Sequence, residues 1–243
     1  MLETVIPTKS KISIPKERYS HIGTYIESAD AFSRNMFRPI FIADMNTKSF
    51  LYVSRNFSSL AGGSFSSGQQ YIPSFAHEDI PTLRVIFENA YDLFLSFPVE
   101  ERMKLVFSFS FNSSRNGKTR VVHQRMTPLA LTDDGDLWLV LCTTSFSSQK
   151  TPGNYIMRMI DEDEYMIYNI EKGRWYHKEG TNLTSEEKDI LYLSSQGYTM
   201  KEIATVLCRS LDSIKMIKRA LFMKLNVKSI TEAVLASINR NLM

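Results

Sequence analysis

Between residues 198 and 228 the chain carries Lys201, Arg209, Lys215, Lys218, Arg219, Lys224 and Lys228 against only two acids, Glu202 and Asp212. The formal net charge of all 243 residues is +3, so the positive excess is concentrated in this one stretch. Ammonium and guanidinium groups so gathered can neutralise the phosphates of a duplex and release its counterions. Composition alone describes a solvated helix face equally well, so spacing has to decide. At 100° per residue, Asp212, Lys215, Met216, Arg219 and Met223 fall on one side of a helix and Ile214, Ile217, Leu221 and Leu225 on the other. The first side joins cations suited to phosphates and guanine edges with thioethers suited to thymine methyls. A merely solvated face does not account for two methionines.

No other chemistry is spelled out. His21, His77, His123 and His177 form no i, i+4 pair and have no neighbouring cysteine, so no metal site is predicted. No nucleophile elbow, phosphate-cradling glycine loop or paired-histidine metal motif occurs, and Gly62-Gly63 reads only as a turn. The sequence therefore predicts a protein that is not an enzyme. The two cysteines, Cys142 and Cys208, lie far apart and predict a reducing compartment. With no 18-residue apolar run and a charged N-terminus, a cytoplasmic protein without membrane contact is expected.

The basic residues need helices to hold them. Thr184 with Glu187, Thr199 with Glu202, and Ser229 with Glu232 each place a hydroxyl three positions before an acid, the spacing of a capping box. Ser210 opens another helix without the reciprocal acid. Helices are predicted over about 185–196 and 200–207, followed by one beginning near Leu211 and a fourth near Ser229. Gly197 stops the first, Cys208, Arg209 and Ser210 turn the chain into the third, and Asn226 suits a left-handed end. Two short helices across such a turn make a helix-turn-helix, whose second helix enters the major groove.

The runs LTSEEKDILYLSSQGYTMKEIATVL and SLDSIKMIKRALFMKLNV, within 183–236, resemble the DNA-binding domain of the LuxR/FixJ family. Glu187, Ile190, Leu191, Gly197, Glu202, Ile203, Ala204, Leu207, Ser210, Lys215, Lys224 and Leu225 stand at matching positions. The resemblance implies a four-helix domain that binds double-stranded DNA as a homodimer, often through the last helix. It implies base reading by Lys215, Met216 and Arg219, and phosphate contacts from Thr199, Lys201, Ser210, Ser213, Lys218 and Lys224. Ser213-Ile214 stands where the family commonly has Thr-Val, Ile217 where it has histidine, and Asn226 where it has glycine. Ser213 keeps the hydroxyl, whereas Ile217 loses a polar group.

Ahead of this domain, a helix is predicted over about 16–37, with Tyr19, Ile22, Ile26 and Ala29 at helical spacing, ended by Pro39. PIFIADMNTKSFLYVS reads as a hairpin turning at residues 46–48. Asp79 is expected to cap a helix carrying Leu83, Ile86, Phe87, Ala90 and Leu93, which Pro98 closes. Residues 103–111 alternate as a strand with one buried face, either packed core or the wall of a ligand pocket. Strands follow at about 119–131 and 137–144, joined at Asp133-Asp134-Gly135. The order suggests one antiparallel sheet with helices on one side. Residues 151–180 are expected to form a further small sheet.

Over about 39–147, IADMNTKSFLYVS, the HEDIPTL entry to a helix and the strand-rich end resemble a PAS-type sensor domain. The resemblance implies sensing of a small molecule, redox state or protein signal, and dimerisation. No cysteine is placed for a flavin adduct and the helix after Asp79 has no haem-ligating histidine, so no cofactor is expected. The fold class expected is α+β, a PAS-like antiparallel sheet with helices plus an all-α helix-turn-helix domain. Its segments are a helical lead (1–38), a sensor (39–148), a β-hairpin connector (149–182) and the DNA-binding domain (183–243). A DNA-binding transcription regulator under sensory control is the function expected; the alternative is an adaptor whose helical domain docks on another regulator.

Overall fold

A computed structural model describes residues 20–36, 38–57, 75–115, 118–147, 149–160, 162, 164–240 and 242. The chain divides into two compact units, Met1–Lys178 and Glu179–Met243. Tyr19 and the Gly62-Gly63 turn lie outside the described residues.

In the first unit, α1 (Ile22–Asn35) precedes β1 (Ile40–Asp44) and β2 (Ser49–Val53); a 3-10 turn (His77–Asp79) leads into α2 (Ile80–Ser96) and the short α3 (Val99–Arg102). β3 (Leu105–Arg115), β4 (Lys118–Leu131), β5 (Leu137–Phe146), β6 (Gly153–Met159), β7 (Tyr165–Asn169) and β8 (Arg174–Lys178) complete it. All eight strands form one antiparallel sheet in the order β2-β1-β5-β4-β3-β6-β7-β8. The strands expected as a separate small sheet therefore extend the main one, because β6 pairs with the edge of β3.

Alternation along β3 sends Leu105, Phe107, Phe109 and Phe111 into the main core, where they meet Leu83, Ile86, Phe87, Ala90 and Phe94 of α2. The strand starts at Leu105 rather than Met103, which is 43% exposed after α3. Phe87 lies edge-on to Phe107 and Phe109, with ring centroids at 5.8 and 5.2 Å. The expectation of helices on one side alone is corrected by α1. Ala29 and Tyr25 pack on the opposite face against Ile40, Ile42 and Leu141. Every residue of β1 is buried, so its alternate isoleucines need cover on the second face too.

Asp79 does not cap α2 with its side chain, because the preceding 3-10 turn already gives it helical dihedrals of −83° and −18°. Its Oδ2 instead accepts from the Asn112 backbone N–H at 3.1 Å, tying the helix start to β3. Pro128, which has no N–H to give a central strand, lies beside a register shift of β4 against β5. Cys142, on the last strand of the sensor region in sequence, is central in space, since β5 pairs with both β1 and β4.

The second unit consists of α4 (Ser185–Ser195), α5 (Met200–Val206), α6 (Leu211–Leu225) and α7 (Ile230–Arg240). Ile190, Ile203, Ala204 and Ile214 form one buried cluster, and Leu191, Leu221, Leu225 and Ala233 another. Both clusters draw on the apolar stripe of α6, so this helix is held along its length.

Candidate nucleic-acid interface

The helix-turn-helix is set by local chemistry at each helix end. At α4, the Thr184 N–H donates to Glu187 Oε2 at 2.8 Å, and the Glu187 N–H to Thr184 Oγ1 at 3.2 Å. The Thr199 and Glu202 pair repeats this reciprocal box at α5. At α7, Ser229 Oγ accepts from Glu232 N–H at 3.1 Å, but the Glu232 carboxylate takes the Lys228 N–H at 2.8 Å instead of that of Ser229. The acid thus reaches one residue further back than the box predicts.

α4, α5 and α6 all end in the same paired hydrogen-bond pattern. After α4, Tyr198 N–H donates to Leu193 O and Gly197 N–H to Ser194 O; after α6, Val227 and Asn226 donate likewise to Phe222 and Met223. Gly197 has φ +88° and Asn226 φ +53°, as their residue types suggest. In the turn between α5 and α6, Arg209 N–H donates to Ala204 O and Cys208 N–H to Thr205 O, with Cys208 at φ +51°. A left-handed cysteine has no signature in sequence; the geometry of the two helices imposes it.

On α6 the face opposite the core is open. Lys215, Met216, Arg219 and Met223 are exposed, the two methionines at 68% and 72%. Lys215 Nζ lies 2.9 Å from Asp212 Oδ1, an exposed pair worth about 0–1 kcal/mol and easily given up to a stronger anion. Ile217, on the core stripe, is partly buried against the first cluster. Hence its lost polar group falls at the edge of this face rather than within it.

The expected phosphate ligands are differently placed. Lys201 is exposed in the first turn of α5. Ser210 Oγ accepts from the Ser213 N–H at 3.1 Å, leaving its hydroxyl proton to donate. Thr199 Oγ1 instead donates to Glu202 Oε2 at 2.7 Å, so its proton is already used; these bonds hold the Glu202 carboxyl below its ordinary value. Lys218 Nζ lies 3.4 Å from Met200 Sδ and 5.4 Å from the Phe222 ring centroid, against α5.

Lys224 donates to Glu187 Oε2 at 2.8 Å and to Asn182 O at 2.9 Å, leaving one of its three N–H bonds for a phosphate. Glu187 is only 5% exposed. Burial would raise its pKa, but hydrogen bonds from Lys224 and Thr184 outweigh that and lower it. This pair fastens the end of α6 to the start of α4. Sequence reasoning missed it, although both residues belong to the matched motif, because 37 positions separate them. Arg209 was likewise counted only as charge; its Nε donates to Glu186 Oε1 at 2.8 Å, bracing the turn.

The first unit holds a cavity of about 60 Å³, lined chiefly by Phe87, Ala90 and Phe94 of α2, Phe107 of β3, and Met45, Met126 and Met157. Tyr91 is the polar residue among its walls, and its hydroxyl donates to Asp136 Oδ1 at 3.2 Å. Burial first, then the Asp136 charge, pushes this phenol up to about 12. The aromatic stripe of β3 is thus both packed core and cavity wall. Among the described residues no group of histidines, cysteines and acids is arranged to hold a metal, and no helix is long and apolar enough to cross a membrane.

No curated protein matches the chain. Among solved structures, a phage VqmA in complex with DPO is 18% identical, with a TM-score of 0.34, covering 90% of this chain and 91% of its own. The VqmA dimer of Vibrio cholerae solved without target DNA is 14% identical at a TM-score of 0.33, covering 95% of this chain and 89% of its own. The PAS domain of Bordetella pertussis BvgS is 16% identical at a TM-score of 0.36, covering 52% of this chain and 89% of its own. The decisive match is local: residues 181–237 fit the bacterial regulatory proteins of the luxR family. With its caps, turn and open cationic helix face in place, this region is a helix-turn-helix domain of the kind found in the bacterial regulatory proteins of the luxR family.

Proposed function

We propose a one-component regulator that detects a small molecule or protein through its N-terminal unit and thereby changes how a homodimer engages its operator. The observation that carries the DNA-contacting part is the α6 face, where Lys215, Met216, Arg219 and Met223 stand out from a helix whose other side is anchored in two apolar clusters. Lys215 and Arg219 read base edges and Met216 packs on thymine methyls, while Thr199, Lys201, Ser210, Ser213, Lys218 and Lys224 line the phosphates. Thr199 contributes only if Glu202 yields its hydroxyl proton.

The cavity supports sensing. An engineered apolar cavity of about 150 Å³ holds benzene, so about 60 Å³ is too small for such a ring without repacking. Met45, Met126 and Met157 provide adaptable side chains for that change. A signal shifts DNA binding only through a difference in its affinity for two states of the protein. Within this reading, segment 1–38 leads into the sensor at 39–148, 149–182 connects it, and 183–243 binds DNA. The protein works in the cytoplasm without catalysis or a resident cofactor.

Genomic fragments selected with the purified full chain identify an operator, and gel-shift titrations against it test the assignment. Lys215→Ala and Arg219→Ala should each weaken operator binding, and wild-type affinity should fall steeply with salt. Unchanged affinity in both variants would place the contact face elsewhere. Salt-insensitive association with no duplex preference would favour the adaptor.

A further inference from the structure

The cavity of the first unit lies where two strands part. The β3–β4 ladder runs to Phe107 opposite Met126 and ends there, although β3 reaches back to Leu105 and β4 continues to Leu131. Leu105 and Pro128, the next pair in that register, are not laddered, and all four residues line the cavity. Proline supplies the reason, since it has no N–H to give a neighbouring strand.

The alternation of backbone hydrogen bonds shows which group loses a partner. Ser147 N–H donates to Val121 O between β5 and β4, and Ile160 N–H donates to Lys104 O between β6 and β3. Successive residues of an antiparallel strand direct their backbone groups to opposite neighbours. Odd residues of this part of β4 therefore turn to β5 and even residues of β3 to β6, which leaves Leu105 and Pro128 turned toward one another. The Leu105 carbonyl thus faces a position that cannot donate to it. Leu105 is 1% exposed, so bulk water does not serve this oxygen either. A buried carbonyl without a donor is costly, and a donor carried in by a guest recovers that cost.

Charge is refused for separate reasons. Among the lining residues only Tyr91 can ionise, and its phenol, pushed up to about 12, is neutral at pH 7. Asp136 accepts from that hydroxyl at 3.2 Å and outweighs Arg102 in the field there. Arg102 lies 5.6 Å from the Phe94 ring centroid, with N–H bonds given to the carbonyls of Leu95, Phe97 and Gly135. An ion of either sign among these walls would lose its hydration without a counter-charge, and an anion would also sit near a carboxylate.

We infer that the cavity takes a small uncharged molecule bearing a hydrogen-bond donor, of the alcohol class, whose O–H bonds the Leu105 carbonyl while its carbons lie against Phe87, Phe107 and Met126. The inference rests on reading this cavity as the sensing site, and adds the chemistry of the guest. A volume of about 60 Å³ limits that guest to a few heavy atoms unless the methionines move aside.

Isopropanol, acetone, acetate and isopropylammonium share one branched skeleton of heavy atoms, so together they separate donor, acceptor and charge. Methyl NMR of the full chain labelled at methionine reads each titration, with Met45, Met126 and Met157 in the wall and exposed Met216 and Met223 reporting the general solvent effect. Isopropanol should move the wall methyls saturably, at a concentration about three- to tenfold below that acetone requires, and the two ions should not. Pro128→Ala gives the Leu105 carbonyl a donor and should abolish the preference for isopropanol over acetone, whereas Tyr91→Phe should keep it. Should Pro128→Ala fail to fold, the carbonyl carbon resonance of Leu105 in the wild-type chain takes its place, shifting with isopropanol and not with acetone. No saturable shift with any of these compounds would remove the sensing cavity and the inference with it. Acetone equal to isopropanol, binding of either ion, or a preference lost in Tyr91→Phe would leave the cavity standing and overturn the alcohol assignment.

Discussion

Methionine serves opposite ends in the two units. Met216 and Met223 stand in solvent on α6, on a helix that has ample apolar contact on its other side. Met45, Met126 and Met157 line a small cavity in the first unit, among phenylalanines. A flexible thioether on a rigid, exposed helix suits an apolar partner that arrives from outside, such as a thymine methyl in a groove. The same side chain beside a small void suits an interior that changes shape around a guest. One unit presents a fixed surface, and the other keeps an adjustable inside.

The largest test of that contrast removes the fixture. Glu187→Ala removes both the charge-assisted hydrogen bond to Lys224 and the cap on Thr184, and should cost the second unit about 2–4 kcal/mol, read by denaturant unfolding, with DNA binding lost alongside. The carboxyl is held below its reference value of 4.5, so its contribution is present above that pH and disappears as acid takes the solution through the folded value. Acid titration of Glu187→Gln should lack this component. Next come the proposed base contacts: Lys215→Ala or Arg219→Ala should each cost about 1–3 kcal/mol of operator binding while leaving stability within about 0.5 kcal/mol. If both effects appear as stability losses, the surface is part of a core and the contrast fails.

On the adjustable side, Ala90→Leu fills the cavity and should shift stability by up to about 3 kcal/mol through overpacking while abolishing the response to a signal, with basal DNA binding retained. Lys201→Ala should weaken binding to all duplexes alike and reduce the salt slope by about 1. Smallest of all, Cys208→Gly should raise the melting temperature slightly, since glycine removes a left-handed penalty of about 1 kcal/mol.

Legibility followed the range of the interactions. The starts of α4 and α5, the stop at Gly197 and the left-handed Asn226 could be read because each depends on residues within one turn. The two faces of α6 were legible for the same reason. Asp79 misled because its capping role depended on the conformation of the residues before it, which already turn as a 3-10 helix. The cover that α1 gives Ile40 and Ile42, and the attachment of β6 to β3, depend on contacts between distant segments that periodicity does not encode. Likewise, no local pattern announces that Lys224 will meet Glu187.

The sheet ends at β8, whose Arg174 and Lys178 are exposed, with the Arg174 guanidinium 4.7 Å from the Tyr176 ring centroid. Such a fringe of cations makes a poor template for an incoming strand, since another copy of the same border would meet like charge along its length. Ribbon-to-ribbon growth into longer assemblies is thereby discouraged at this margin, and two copies that associate have reason to do so broadside.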